Sequence, residues 1–438
     1  MQGRLLLIIS IFVVVNIVGC NSGSTQSNSG SSTTYLTKPT GAYGVGYQTF
    51  YYINTNICPD PYYNESTTAS FSPDNINHCH EFVASVFYPT NAITSTATTP
   101  YYLPSVIQLQ NALFSLPNLT KSQIANAINP IKSYITSGAT VAAGKFPVIL
   151  FTPGSGDQAE TYQNIITQLV SNGYIVIGID SVFVSGNILL PSGIITQFPP
   201  RDTIPNCSFY NCTPEQLAII AQFQESQISI QTSDLYYTIS QFESNKNDNV
   251  TLQAMDFTHI GGLGHSLGAR LINELTLNDP TLFKAAATLD VAPIGNNQDH
   301  RLVTTIPIPF LFTMSASFKD LVFPPNTLFE FNKNTYYVGL SPNIQNQDYS
   351  EHLNYTDYGT IQYQPLISDL FSIMALTSPG LFLGNGNGYN IINSVNIYLL
   401  QFFDTYIKNK PNDVFNTTNC NILTSNSYIV CGPGSFSG

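Results

Sequence analysis

The sequence has 438 residues, of which 43% are hydrophobic and only 9% are charged. Fourteen basic residues stand against 26 acidic ones, which gives a formal net charge of −12 at pH 7. A chain this acidic repels phosphate backbones, which argues against nucleic acid as a partner. After the N-terminal segment no uninterrupted apolar stretch reaches about 18 residues, so we expect no second membrane span.

The N-terminus has the pattern of a secretory signal. Arg4 precedes an apolar run over residues 5–18, and this region ends in Ile17-Val18-Gly19-Cys20. A charged start, a short apolar stretch and a small residue before the cut predict a signal peptide over residues 1–19. The last four residues also resemble the lipobox of bacterial lipoproteins. That resemblance implies cleavage before Cys20, lipidation of Cys20 and attachment to a membrane through it. An ordinary signal peptide with a chance cysteine is the alternative.

The residues that follow predict a tether and a destination. Residues 20–40 are rich in Ser, Gly and Asn, a composition typical of a flexible linker. Asn21 stands where lipoproteins kept in the inner membrane typically have Asp. We therefore expect an exported bacterial lipoprotein in the outer membrane or at the cell surface. The folded domain is expected over residues 41–438, with insertions at 91–144 and 181–212.

The cysteines agree with export. With Cys20 set aside, six of the seven cysteines remain, an even number that suggests disulfides in an oxidising compartment. They fall into three pairs of sequence neighbours, which predict these bonds: Cys58–Cys79, Cys207–Cys212 and Cys420–Cys431. A zinc site on His78, His80, Cys58 and Cys79 is the weaker interpretation, because no second ligand pair has a known spacing.

Apolar runs and turn residues predict an alternating α/β order. Strands are expected at 48–53 and 81–89, followed by the insertion 91–144 with helices at about 105–116 and 121–135. The later strands are predicted at 146–152, 174–180, 259–264, 285–290, 308–314 and 336–340. The later helices are predicted at 158–171, 213–243, 267–277 and 389–408. Strands that alternate with helices indicate the α/β class, with a mostly parallel central sheet flanked by helices.

One motif points to a nucleophile. Gly264-His265-Ser266-Leu267-Gly268 lies between a predicted strand and a predicted helix, as the G-x-S-x-G nucleophile elbow does. In an elbow the glycines make room for a sharp turn that exposes the serine hydroxyl, which predicts Ser266 as the nucleophile. His265 is expected to point away from the reaction. A glycine-rich turn without chemistry is the alternative.

A serine nucleophile needs a base, and the base needs an orienting acid. In this class of motif the chain order is serine, acid, histidine. Only His300 and His352 follow the elbow, and His352 lies in a short loop after a predicted strand, where the base belongs. Asp290 and Asp320 each follow a predicted strand, and spacing does not choose between them.

Several segments in the same order resemble the platelet-activating-factor acetylhydrolase-like family. The segments are residues 41–46, 87–89, 283–290 with Pro293, and 352–357. The resemblance covers about residues 41–405, leaves the insertions unmatched and implies the α/β-hydrolase fold. It also implies Asp290 as the catalytic acid and His352 as the base, with Asp320 as the fallback acid. The implied substrate is an ester or a short-acyl phospholipid, with no cofactor and no metal.

One departure from that family concerns the oxyanion hole. Members usually carry His-Gly after the third strand, whereas this chain has Pro153-Gly154, similar to bacterial cutinases and polyester hydrolases. The backbone N–H groups of Ser155 and Leu267 are the predicted oxyanion donors. The missing histidine leaves the preference for acetyl esters open.

The sequence therefore predicts a lipid-anchored serine esterase that works through a Ser-Asp-His triad. A cutinase, polyester hydrolase or lipase with the same triad is one alternative. A non-catalytic surface binding module on a hydrolase scaffold is another. The apolar segment 182–200 is expected either to form a lid beside the site or to pack onto its own domain.

Overall fold

The structure is a computed structural model that describes residues 35–437 with internal gaps. The gaps are residues 65–66, 94–95, 102–119, 197–211, 292–295, 299–300, 305, 316–327, 332–334, 341, 344–347, 366, 369–382, 385, 412–426 and 432–433. Several predictions therefore lie outside the described residues. They are the signal peptide, Cys20, residues 20–34 of the tether, the helix at 105–116, Cys207, His300, Asp320 and Cys420.

A central sheet organises the described part of the chain. Its ten strands are β1 (Gly44–Asn54), β2 (His80–Thr90), β3 (Ile135–Ser137), β4 (Phe146–Thr152), β5 (Ile175–Ser181), β6 (Met255–His265), β7 (Ala285–Leu289), β8 (Phe310–Ser315), β9 (Thr335–Leu340) and β10 (Ser427–Cys431). The spatial order is β10-β9-β8-β7-β6-β4-β5-β2-β1-β3. From β5 to β9 in this order all neighbours are parallel, whereas β2 and β10 pair antiparallel to the strands beside them.

The middle of the sheet forms because its strands are apolar on both faces. β4 reads FPVILFT and β5 reads IVIGIDS, and nearly every side chain in them is buried. Such continuous β-branched runs are typical of parallel strands covered on both sides. The predicted strands from 146–152 onward match the structure within two residues, except that β6 begins four residues earlier. β1 likewise begins four residues before its predicted start.

Helices cover both faces of this sheet. The main ones are α1 (Lys121–Ile128), α2 (Gln163–Ser171), α3 (Pro214–Ser244), α4 (Leu267–Asn278) and α5 (Gly388–Tyr406). Single turns lie at Val250–Gln253 and Tyr358–Ile361, and 3-10 turns at Thr68–Ser70, Ala159–Tyr162, Lys246–Asp248 and His352–Tyr355. α3 and α4 pack on one apolar core, and α2 and α5 pack on the other. No helix in the described ranges is long and apolar enough to cross a membrane.

One prediction about elements was wrong, and one sheet was not predicted. The helix expected over 121–135 ends at Ile128, and residues 135–137 instead form β3, an edge strand parallel to β1. Pro130 explains the early end, because the residue before a proline avoids the helical conformation. A second, four-stranded sheet was not predicted. Its strands are short and one is distant in sequence; they lie at Asn296–Gln298, Arg301–Thr304, Leu328–Phe331 and Gly434–Ser437.

Two minor strand pairs complete the described secondary structure. Residues Thr99–Pro100 pair with Lys132–Ser133, and Pro342–Asn343 pair with Asp348–Tyr349. The first pair joins two parts of the predicted insertion at 91–144. The same predicted insertion also contains β3, which pairs with β1 at the edge of the main sheet.

The loop between β1 and β2 is closed by a disulfide. The predicted bond between Cys58 and Cys79 is confirmed. Cys212 is also disulfide-bonded, while its predicted partner lies outside the described residues. The zinc interpretation is wrong, because the sulfurs are bonded to each other and both ring nitrogens of His80 contact carboxylates.

His80 forms a buried ion cluster beside that disulfide. Its Nδ1 lies 2.5 Å from Asp60 Oδ2, and its Nε2 lies 2.9 Å from Asp234 Oδ2 on α3. Asn54 and Ser181 donate further hydrogen bonds to Asp234, at 2.8 and 2.7 Å. Burial alone would lower the pKa of His80, but the charge of Asp234 and the bonds to both carboxylates raise it to about 10. The cluster joins the loop, β1, β5 and α3.

We expect this cluster to make stability depend on pH. A histidine in the unfolded chain has a pKa of about 6.5. The stabilisation from His80 is therefore fully present below that pH and is lost as the pH rises through about 10. His80→Gln should cost about 3–5 kcal/mol at pH 6, because it leaves buried carboxylates unpaired. Urea unfolding at pH 6, 8 and 10 measures both effects. His259→Gln is the matched control, since that histidine is partly exposed; an equal loss there would contradict the expectation.

Candidate active site

The G-x-S-x-G motif forms a tight turn from β6 into α4. Ser266 has φ 56° and ψ −120°, in a region that costs a non-glycine residue on the order of 1–3 kcal/mol. Its flanking glycines have no room for a side chain. A Cβ on Gly268 would lie 2.1 Å from the carbonyl oxygen of Thr152, and one on Gly264 would lie 2.4 Å from that of Gly268. Both glycines are therefore required by backbone contact.

The Ser266 side chain is held at the carboxyl edge of the sheet. Ser266 is 1% exposed, and its hydroxyl has no hydrogen-bond partner among the described residues. Its backbone N–H bonds the carbonyl oxygen of Leu289 at 3.0 Å. Because Leu289 ends β7, this bond places the turn directly beside Asp290.

Asp290 and His352 are joined by a hydrogen bond. His352 Nδ1 lies 2.8 Å from Asp290 Oδ2, and both side chains are buried or nearly so. Ser315 at the end of β8 donates its backbone N–H to Oδ1 at 2.6 Å and its hydroxyl to Oδ2 at 3.0 Å. An ionised carboxylate needs such donors, and it holds the Nδ1–H tautomer of a histidine partner. That tautomer leaves Nε2 able to accept a proton.

The three predicted triad residues therefore lie together at the carboxyl edge of the sheet. The hydrogen bond from Ser266 to His352 is not formed. Asp290 and His352 bond directly, whereas the Ser266 hydroxyl bonds neither of them. The imidazole of His265, next to Ser266, lies 4.5 Å from that of His352 between ring centroids. Without substrate, the bond from nucleophile to base is often long and tightens only in the reacting complex.

The loop after β4 lies against the nucleophile. A Cβ on Gly154 would be 3.2 Å from the Cβ of Ser266. The N–H of Gly154 bonds Tyr162 Oη at 3.2 Å, and that of Gly156 bonds the Val184 carbonyl at 2.8 Å. In contrast, within the described ranges the N–H groups of Ser155 and Leu267 donate no hydrogen bond to another protein group. Two such amides beside a nucleophile can bind a developing oxyanion.

α3 fixes this loop from the other side. The Ser155 hydroxyl donates to Gln227 Oε1 at 3.0 Å, and Gln227 Nε2 donates to the Phe183 carbonyl at 3.3 Å. Gln227 is fully buried, so it sets the position of Ser155 relative to α3.

Most apolar side chains in the described part of segment 182–200, the candidate lid, are buried against the rest of the domain. Its described part, 182–196, contributes buried side chains to a cluster with the β1–β2 loop and β2: Phe71, Val83, Val182, Phe183, Ile188 and Leu190. This burial favours the alternative of a loop packed onto its own domain. Residues 197–200 lie outside the described ranges.

His265, which was expected to point away from the reaction, makes no hydrogen bond to the Ser266 hydroxyl and instead joins the His352 backbone to Tyr162. His265 is fully buried, with Nε2 3.1 Å from the carbonyl oxygen of His352 and Nδ1 2.8 Å from Tyr162 Oη. Tyr162 Oη also lies 3.2 Å from Asp157 Oδ2. Sequence reasoning missed Asp157 and Tyr162 because their spacing after Pro153 matches no motif; only the fold brings them to His265.

Two carboxyl groups at or near the loop of residues 350–357 that carries His352 (the histidine loop) have raised pKa values. Burial raises the pKa of Asp157 to about 7, although the contact with the Tyr162 hydroxyl and the charge of His352 oppose the rise. Burial also raises the pKa of Asp357 to about 7, against hydrogen bonds from the backbone of α2 and from Tyr101. Burial, reinforced by the charge of His352, lowers the pKa of His265 well below the usual value. His265 is therefore neutral.

Asp357 anchors the histidine loop. Its two carboxylate oxygens accept the backbone N–H groups of Gln163 and Asn164 at 3.0 and 2.9 Å, at the start of α2. The Tyr101 hydroxyl adds a third bond at 2.9 Å. The loop that carries His352 is thus tied to α2 as well as to the elbow. Among the described residues, no group of three or more His, Cys, Asp or Glu is arranged to hold a metal ion.

The strand order, the elbow after β6, the carboxylate after β7 and the histidine after β9 define an α/β-hydrolase fold. The comparison with solved structures agrees. A ferulic acid esterase from Streptomyces cinnamoneus matches with a TM-score of 0.58 and 16% identity, over 86% of this chain and 94% of that one. At this identity the likeness shows the fold.

The sequence comparisons add no closer relationship. No protein-family model matches the chain. No curated protein matches it either. The findings therefore support the α/β-hydrolase fold and do not extend to the platelet-activating-factor acetylhydrolase-like family.

Proposed function

We propose that this chain is a serine carboxylic ester hydrolase with Ser266 as nucleophile, His352 as base and Asp290 as orienting acid. The observation that carries the proposal is the 2.8 Å bond between Asp290 and His352, at the strand edge where the strained turn presents a hydroxyl without a partner. A buried carboxylate–histidine pair beside a strained serine is the arrangement that activates a hydroxyl.

The chemistry follows from these positions. His352 Nε2 takes the Ser266 hydroxyl proton as the serine oxygen bonds the ester carbonyl carbon, and it then protonates the leaving alcohol. Asp290 stabilises the imidazolium formed at this step. Water activated by the same histidine cleaves the acyl-enzyme and releases the acid. The N–H groups of Ser155 and Leu267 bind the oxyanion, each contributing about 3 kcal/mol to the transition state.

The segment that starts at Val182 packs beside the oxyanion loop, where the Gly156 amide bonds the Val184 carbonyl. Short-acyl esters, including short-acyl phospholipids, are the substrates that the sequence resemblance suggests. The name of the matched esterase favours esters of ferulic acid as a second candidate. A cutinase-like or lipase-like enzyme would instead accept polymeric or long-chain esters.

A panel of esters tests the function and separates these substrates. We expect hydrolysis of p-nitrophenyl acetate and butyrate to exceed that of the palmitate by at least about tenfold in kcat/KM, because an acyl pocket discriminates by its length. Methyl ferulate tests the second candidate, and a polyester film tests the polymer-degrading alternative.

The result identifies the class as well as the substrate. Preference for palmitate would point to a lipase, and release of soluble products from the film would point to a polyester hydrolase. A folded, disulfide-bonded sample that hydrolyses none of these esters would contradict the proposal and favour the non-catalytic binding module.

A further inference from the structure

Three buried polar side chains beside the site take no part in the mechanism above. Asp157, Tyr162 and His265 form a chain of contacts that ends at the carbonyl oxygen of His352. All three are in the interior, with Asp157 6% exposed as a residue and Tyr162 and His265 not exposed at all. Buried polar groups are costly unless each donor meets an acceptor. The direction of every proton in the chain can therefore be deduced.

One end of this hydrogen-bonded network, the His352 carbonyl, can only accept a hydrogen bond. The His352 carbonyl has no hydrogen, so His265 Nε2 must carry the proton in the 3.1 Å contact between them. His265 is neutral, so its Nδ1 is an acceptor and Tyr162 must donate to it across 2.8 Å. The single hydroxyl proton of Tyr162 is then used.

The proton position at the Asp157 end of this hydrogen-bonded network follows from the same reasoning. Tyr162 Oη now offers only lone pairs, and it accepts the N–H of Gly154 at 3.2 Å. Asp157 Oδ2 lies 3.2 Å from the same oxygen. Two acceptors would repel each other at that distance in a buried site, so the Asp157 carboxyl carries a proton and donates it to Tyr162.

We propose that Asp157, Tyr162 and His265 form a positioning relay, which holds the backbone of His352 against the nucleophile elbow while the Asp157 carboxyl is protonated. His265 is the link, because it precedes Ser266 in the chain and bonds the residue that supplies the base. The relay deepens the proposed esterase function and rests on it for its kinetic consequence.

Ionisation of Asp157 reverses the relay. When the carboxyl proton leaves for bulk water, the Tyr162 hydroxyl turns to donate to the carboxylate. His265 then changes tautomer by proton exchange with water: Nε2 gives up its proton, Nδ1 takes one and bonds Tyr162, and the Nε2 lone pair faces the His352 carbonyl. The bond from elbow to base loop is lost. The base then sits less accurately over Ser266.

The surroundings of Asp157 determine the pH at which its carboxyl group ionises. Among the described residues, the titratable groups that face it are Tyr162, His352, Tyr101 and Tyr358. None is a fixed cation, and burial dominates. The pKa of Asp157 is about 7, so the relay reverses between roughly pH 6 and 8.

The pH dependence of kcat/KM tests the kinetic consequence. We expect wild-type activity to fall by about tenfold or more from pH 6.5 to 9, since small misplacements of catalytic groups are costly. Asp157→Asn keeps an N–H that donates to Tyr162 but cannot ionise, so the alkaline fall should disappear. Tyr162→Phe should lower kcat about 10–100-fold, leave KM within about twofold and remove the same fall. Identical pH profiles for wild type and Asp157→Asn would overturn the relay.

Histidine ¹⁵N NMR tests the relay without any substrate. The His265 signals are assigned by their loss in His265→Gln. Wild type should show the Nε2–H tautomer at pH 5.5 and the Nδ1–H tautomer at pH 9, whereas Asp157→Asn should keep Nε2–H throughout. A His265 tautomer that is the same at both pH values in wild type would overturn the relay even if esters are hydrolysed. Switching in a chain that hydrolyses no ester would support the relay and overturn the proposed function.

Discussion

Ser266→Ala should lower kcat for p-nitrophenyl butyrate by at least about 10⁴-fold, since loss of a serine nucleophile removes the covalent path. The fold should survive, because the hydroxyl makes no hydrogen bond to described residues and alanine fits the same turn. Initial rates measured alongside circular dichroism separate loss of chemistry from loss of structure. The KM of any residual activity should change little.

Ser155→Ala is the matched control for that substitution. It removes a buried serine hydroxyl of the same site, the one that bonds Gln227, but keeps the backbone N–H assigned to the oxyanion hole. We expect a loss of about tenfold, the size of one lost positioning contact. A fluorophosphonate should label wild type and Ser155→Ala but not Ser266→Ala, with the adduct on Ser266. Substantial turnover by Ser266→Ala would assign the nucleophile elsewhere.

Asp290→Asn is the second substitution with a large expected effect. The asparagine amide would donate to His352 Nδ1, which forces the proton onto Nε2 and leaves the histidine unable to act as a base. The expected loss in kcat at pH 7 is about 10⁴-fold, the size seen when a triad aspartate becomes asparagine. Ser315 can still bond the remaining side-chain oxygen, so the local structure should persist.

Asp320→Asn is the comparison that tests the alternative acid. That residue follows β8 and lies outside the described ranges, so kinetics must make the comparison. We expect less than about a threefold change in kcat, because most substitutions away from reacting groups alter little. A large loss in Asp320→Asn with little loss in Asp290→Asn would transfer the acid role to Asp320.

Local patterns were enough to predict most elements of the sheet. β4 and β5 are continuous apolar runs bounded by turn residues, and such runs have few stable placements other than a buried parallel strand. The elbow was also predictable, because its two glycines and its serine lie within five residues of sequence, although the backbone that excludes a side chain at Gly268 belongs to the distant Thr152. The predicted end of the helix over 121–135 was wrong because the helical pattern continues past Pro130, whereas the residue before a proline avoids the helical conformation.

Long-range pairing was not predictable in the same way. β10 lies at the sheet edge beside β9, although 86 residues separate Leu340 from Ser427. The small sheet likewise joins residues 328–331 to 434–437. Pairing over such distances depends on which edges the rest of the fold leaves uncovered, and no short pattern records that.

The amino-acid sequence by itself determined where most strands lie along the chain, the elbow and the short set of acid and base candidates, because each is encoded by neighbouring residues. Only the tertiary structure brought Asp290 into contact with His352, 62 positions apart. Only the tertiary structure brought Asp157, Tyr162 and His265 into contact with one another beside the catalytic residues. The physical reason is that a hydrogen bond depends on distances of about 3 Å, and packing of the whole sheet sets those distances.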